Sequence, residues 1–203
     1  MFNRLLKIMK TLKRFLFFIT GIGLLFACSK SNRFWSDEPL GNTMNGGHDQ
    51  PVMVAMPFKA DLIGEYKLQE PEVNCGYSVE NPYMYHIIVT ANGTATHLGK
   101  TYAYFDFCCD VATGVYGPAD IYLVAANGDM LFLSGEGQVM TGRLNYHPDY
   151  VNSYWKDPMI VMGGTGRFAG ATGTFMTDDY NSDMDPNSHH HWTGTITLVK
   201  GKQ

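Results

Sequence analysis

Past residue 27 the chain shows no convincing apolar stripe at the 3.6-residue spacing of an amphipathic helix, and residues 61–200 read as β throughout. Basic clusters are missing too. The whole chain carries 15 Lys and Arg against 19 Asp and Glu, but Arg4, Lys7, Lys10, Lys13 and Arg14 fall in the first 27 residues. The remainder therefore holds 10 against 19, a net charge of 10 − 19 = −9. An acidic chain without a Lys/Arg patch is a poor match for nucleic acid or an anionic lipid surface, and neither is expected as a partner. Cysteine is sparse: after Cys28 only Cys75, Cys108 and Cys109 remain, with no Cys-x-x-Cys and no partner His spacing for a metal or redox centre. No Gly-x-Ser-x-Gly, His-Glu-x-x-His or P-loop pattern occurs, so no motif supports nucleophilic or metal-dependent hydrolysis. No cofactor and no metal are expected.

What is present begins with an address. Residues 1–27 combine a basic start with an apolar run from Phe15 to Ala27, too short to span a bilayer comfortably. The run ends Leu25-Phe-Ala-Cys28, which is similar to the lipobox of bacterial lipoproteins, although Phe26 departs from the usual small or β-branched residue. In that reading Cys28 is lipidated and anchors the chain to a bacterial membrane, with the folded part in the cell envelope. An ordinary cleaved signal or an anchoring helix is the alternative. Residues 28–59, with Pro39, Gly41, Gly46, Gly47, Pro51 and Pro57 and no sustained periodicity, read as a flexible tether. The oxidising side of a membrane permits a disulfide between Cys75 and either Cys108 or Cys109, leaving one thiol over.

Residues 60–203 form the domain. Expected strands cover 64–68, 85–91, 94–98, 102–107, 121–126, 129–134 and 192–199, with two more flanking a glycine hairpin at 163–166. Asn92-Gly93 and Asn127-Gly128 stand between apolar runs, a strong hairpin signal. Two-residue turns there would place Ile88 opposite His97, and Leu123 opposite Phe132. Both faces of the second hairpin would then be apolar, and self-association is the simplest cover for the outer one. Gly163, Gly164 and Gly166 mark a tight reversal, and Gly170 and Gly173 allow a bend or a close approach of strands.

Two segments carry a family likeness. Gly93-Thr-Ala-Thr-His-Leu-Gly99, followed by Gly163-Gly-Thr-Gly-Arg-Phe-Ala-Gly-Ala-Thr-Gly173, resembles the barrel of allene oxide cyclases and dirigent proteins. The resemblance covers roughly residues 61–200. It implies an eight-stranded antiparallel β-barrel with a central cavity, and trimers are common among the plant members. Those members steer cyclisation or radical coupling of hydrophobic substrates, but the matching segments here are turns, and no catalytic residue carries over.

Candidate sites follow from residue type. His97, with His86 on the same expected strand face, is a proton donor or ligand-orienting group if that face lines the lumen; otherwise it is a structural histidine. Asp106 and Glu136 are further strand acids of undetermined orientation. Tyr150, Tyr154 and Trp155, in the least strand-like segment, suit stacking on a sugar ring, or alternatively a cap over the barrel mouth. Asp183-x-Asp185-x-Asn187 starts like a calcium loop but has Ser188 where glycine belongs and Gly194 where glutamate belongs, so a solvated loop is the simpler reading. His189 and His191 could share one strand face. Gly164-Thr-Gly-Arg-Phe-Ala169 matches a dinucleotide fingerprint in letters alone, because no helix follows it. The expectation is a barrel that holds a small hydrophobic ligand or acts as an interaction module. A cyclase or isomerase in the same cavity and a surface glycan binder are the alternatives.

Overall fold

The computed structural model describes residues 51–201. The signal segment, Cys28 and most of the expected tether lie outside these residues. Eleven strand segments follow in order: β1 (Met53–Pro71), β2 (Met84–Ala95), β3 (Gly99–Asp110), β4 (Val115–Val124), β5 (Met130–Gln138), β6 (Met140–Thr141), β7 (Val151–Trp155), β8 (Pro158–Gly164), β9 (Thr172–Thr177), β10 (Asp179–Ser182) and β11 (Ser188–Val199). Three pairs of segments are single strands with a break. β7 and β8 are separated by Lys156 and Asp157, β9 and β10 by Asp178, and β5 and β6 by Val139. The pairing runs through two of these breaks without a shift: Pro158 faces Met176 as Trp155 faces Asp179, and Trp192 faces Thr177 as His189 faces Tyr180.

Counted this way the fold is a closed, up-and-down antiparallel barrel of eight strands, as expected from the sequence. Each strand pairs with the next, and β11 returns to β1 over an unbroken ladder from Met53↔Val199 to Gly64↔Ser188. β1 therefore starts inside the stretch read as tether, before residue 59. Lys59 and Asp61 point outward while Phe58, Ala60 and Leu62 are buried, so the strand alternates as a barrel wall should.

One end of the barrel is plugged. Phe58 and Phe175 stack with ring centroids 3.8 Å apart, and Leu98, Leu123, Leu131, Phe168 and Ile196 fill the space around them. The glycine hairpin supplies part of this plug. Gly163 and Gly166 take positive φ, a short 3₁₀ turn at Gly166–Phe168 inserts Phe168, and the Arg167 guanidinium donates to the His97 carbonyl across the end. Gly173 lets β9 lie against β11, since a Cβ there would strike the Thr195 carbonyl and the Ile196 Cα.

Both Asn-Gly registers differ from expectation. Asn92 and Gly93 lie inside β2, not at a turn; Gly93 is needed because a Cβ would strike the Asp61 carbonyl and Leu62 Cα of β1. The chain turns at residues 96–98 instead, where His97 (φ 66°) and Gly99 (φ 70°) occupy the left-handed region. Ile88 consequently faces Asp106, and His97 is a turn residue whose Nε2 lies 3.2 Å from the Pro57 carbonyl. At Gly128 the turn is real but one residue longer: Ala125 N–H donates to Asp129 O and Gly128 N–H to Ala125 O. Leu123 then pairs with Leu131 and Tyr122 with Phe132. Leu123 and Leu131 face inward, so the hairpin alternates; Tyr122 and Phe132 are what the outer face shows.

At the opposite end are the long β1–β2 loop, the β3–β4 turn, residues 142–150 and the β10–β11 turn. The loop is tied down by a disulfide between Cys75 and Cys108, leaving Cys109 free and buried. That resolves which of the adjacent cysteines pairs: Cys108 faces out toward the loop, and Cys109 faces the lumen.

Candidate functional site

Below the open end the lumen holds a cavity of about 300 Å³. Its wall is largely apolar, formed by Ile87 and Val89 of β2, Phe105 and Phe107 of β3, Ile121 of β4 and Met159 of β8, with the β3–β4 turn at its rim. Three ionisable groups in the wall are held neutral. Burial pushes the Cys109 thiol up to about 11, with Asp110 adding to it. Burial likewise raises the Tyr116 phenol, reinforced by Asp157, to whose Oδ2 it donates at 2.9 Å. Tyr66 is raised by burial although its hydrogen bond to Asn181 Oδ1 acts the other way.

The cavity wall also contains a buried polar relay. Ser188 and His190, two residues apart on β11, point the same way into the barrel, and Asp179 reaches them from β10. Ser188 Oγ lies 2.9 Å from His190 Nε2, and His190 Nδ1 lies 2.8 Å from Asp179 Oδ2. Asp179 also accepts the Trp192 indole N–H at 3.0 Å and the His191 backbone N–H at 3.0 Å. An ionised carboxylate only accepts, so His190 must carry its proton on Nδ1. In the neutral imidazole Nε2 is then an acceptor, and the Ser188 hydroxyl donates to it. Phe105 stacks on the imidazole at 4.9 Å and Trp155 meets it edge-on at 5.9 Å, which fixes the ring plane. Opposite Ser188 on β1 stands Gly64, where any Cβ would run into Ser188 Oγ and His190 Nε2. The glycine is the niche that admits the pair.

The residues singled out from the sequence are scattered by this fold. His86 and Asp106 lie on the outer face, with His86 Nε2 at 2.7 Å from Asp106 Oδ1 and the Tyr104 hydroxyl on the other carboxylate oxygen. Neither they nor His97 face the lumen, and Glu136 is exposed on β5. Trp155 is buried in the cavity wall, whereas Tyr154 points outward toward His147 and Tyr150 is exposed. The three aromatics form no common platform for a sugar ring, because Tyr154 and Trp155 are successive strand residues on opposite faces. Asp183, Asp185 and Asn187 sit at the β10–β11 turn, where Asp183 accepts from Asn152 at 2.6 Å and Asp185 caps Asn187 at 2.8 Å. His189 and His191 do share the outer face, flanking Tyr180 at 4.7 and 5.8 Å. Among the described residues no group of three or more His, Cys, Asp or Glu is placed to hold a metal ion.

Residues 178–191 have the composition of a polar loop, which hides the relay in the sequence. The signal was alternation: Ser188, His190, Trp192 and Ile196 share one parity, and Trp192 and Ile196 are plainly core residues. Extending the last strand back to residue 188 puts the serine and the middle histidine inside. No protein-family model matches the chain and no curated protein shows significant similarity to it, so the functional reading rests on the geometry of this lumen.

Proposed function

We propose that this protein is a lipid-anchored, extracytoplasmic barrel that takes a small, largely apolar ligand into its lumen. The cavity supports the reading: about 300 Å³ at the open end, apolar around its wall, with the Ser188–His190 pair available to a polar group of the ligand. That combination of apolar lining and few fixed polar groups is what small-molecule sites share. The Leu25-Phe-Ala-Cys28 sequence supports the anchor and the cell-envelope location. The resemblance to allene oxide cyclases and dirigent proteins favours the same use of the barrel. Native mass spectrometry of the protein purified from a bacterial envelope without denaturation tests it. A discrete extra mass released on unfolding is the expected result. A bare chain that also fails to take up apolar fluorescent probes would refute it.

A cyclase or isomerase in this cavity is the second reading, and His190 favours it as a proton-transfer group facing the ligand space. Self-association belongs to the proposal as well. Tyr102 on β3, Phe132 on β5, and Ile160 and Met162 on β8 lie exposed on one stretch of the sheet, with β4 between the first two strands, an apolar outer face that a second and third copy would cover.

A further inference from the structure

We propose that Asp179, His190 and Ser188 make Ser188 an activated nucleophile, toward a carboxylic ester whose small apolar acyl group seats in the lumen cavity. The proposal rests on the ligand-binding reading and names the chemistry of the ligand. Nucleophilic serines are recognised by geometry rather than by chain order: a hydroxyl within reach of a base, and the base oriented by a third group. All three distances meet that description. Ser188 Oγ to His190 Nε2 is 2.9 Å, His190 Nδ1 to Asp179 Oδ2 is 2.8 Å, and the carboxylate is itself fixed by Trp192 Nε1 at 3.0 Å.

A purely structural role accounts poorly for this arrangement. Asp179, His190 and Ser188 are polar side chains almost wholly removed from water, and an apolar trio of similar volume would fill the same space without their desolvation cost. Gly64 adds a second observation, because the wall opposite is hollowed to admit the serine and imidazole together. Ser188 and His190 also border the cavity rather than being sealed from it.

The steps balance without any further reagent. Ser188 Oγ attacks the ester carbonyl carbon while its proton passes to His190 Nε2; Asp179 stays ionised and stabilises the imidazolium. His190 returns that proton to the departing alkoxide as the carbon–oxygen bond to it breaks, leaving the acyl group on Ser188. Water from the open end then attacks the acyl carbon, gives a proton to His190, and the serine leaves with that proton as the acid is released. Cys109, in the same wall, does not compete, since burial holds its thiol protonated with a pKa raised to about 11.

The test uses the full-length chain in mild detergent and a short-chain alkyl fluorophosphonate, which bonds a serine oxygen with loss of fluoride. The expected result is a single adduct, mapped to Ser188 and absent in Ser188→Ala. Its rate should fall at least tenfold in His190→Gln and in Asp179→Asn. Uptake of an apolar fluorescent probe is measured in parallel on every variant, so that folding and an open cavity are checked separately. Probe uptake with no adduct would overturn the nucleophile and leave ligand binding standing. Loss of both would sink the cavity reading itself. An adduct at Ser188 that forms equally fast in His190→Gln would also overturn the proposal, since the hydroxyl would then owe nothing to the relay.

Discussion

Replacing Gly64 by alanine adds one methyl group to the molecule, and its cost can be worked from the lumen. Gly64 has ordinary extended geometry, so the substitution should by itself stabilise the fold by about 0.4–1 kcal/mol through the unfolded chain. Against this stands a Cβ that meets Ser188 Oγ, His190 Nε2 at 2.7 Å and Val89 Cγ1 at 3.0 Å. Overpacking of this kind costs about 1–3 kcal/mol. Pushing the serine away from the imidazole also loses a buried hydrogen bond, about 1 kcal/mol. The net expectation is a loss of about 2 kcal/mol, or a Tm lower by about 4–8 °C for a domain of this size. Urea unfolding followed by tryptophan fluorescence measures it, with Trp155 and Trp192 both close to the relay. The double variant Gly64→Ala/Ser188→Ala removes the closest obstacle and should be more stable than the sum of its parts by about 1 kcal/mol. A Gly64→Ala protein as stable as the parent, or additivity in the cycle, would refute the claim that Gly64 exists to admit the pair.

Further outcomes are expected at the disulfide, at Cys109, at Phe168 and at Phe132. Removing the Cys75–Cys108 bridge by serine substitution opens a link between residues 33 apart and should cost about 4 kcal/mol in the chain-entropy account, read as a lower urea midpoint. Cys109 should resist iodoacetamide in the native protein at about pH 8.5, where an ordinary thiol is half ionised, and react promptly in urea. Because its folded pKa of about 11 exceeds the unfolded value of about 8.5, the stability it contributes is complete below the latter and is lost as pH climbs toward the former; a Cys109→Ala variant should lack that alkaline slope. Phe168→Ala empties a fully buried position in the plug and should cost about 3–5 kcal/mol by thermal unfolding, whereas Phe132→Glu on the outer face should lower the particle mass by light scattering and leave ligand uptake intact.

The class of fold was legible because its signals are local: short apolar runs at 121–124 and 131–134 on either side of Asn127-Gly128, alternation along 192–196, and glycines where only glycine fits. Registers were less legible, because one residue type serves two purposes. Gly93 looked like a turn glycine and is a close-approach glycine; the same absence of a side chain permits both, and only the position of β1 decides. Moving that turn by a few residues carried His97 from a strand to a loop, and it carried the lumen hypothesis for His86 and His97 away with it. His190 was legible in principle from its parity with Trp192. It was masked by two neighbouring histidines and a string of aspartates that give the segment the composition of a solvated loop. The pairing of Cys75 depended on which of two adjacent strand residues points outward, which no spacing rule supplies.

The seam between β1 and β11 sets a condition on how the molecule can be made. Met53 pairs with Val199, so 199 − 53 = 146 residues of chain separate the two edges that close the barrel. A long unpaired strand is a template for joining the wrong chain. Contacts this distant in sequence also make closure intrinsically slow. The same last strand that ends the exposure carries Ser188 and His190, and Gly64 of β1 stands against them, so the relay gains its full enclosure only when the seam closes. Binding or reactivity at the lumen is therefore also a readout of completed closure, and variants of β11 need their yield of folded protein measured before their chemistry is compared.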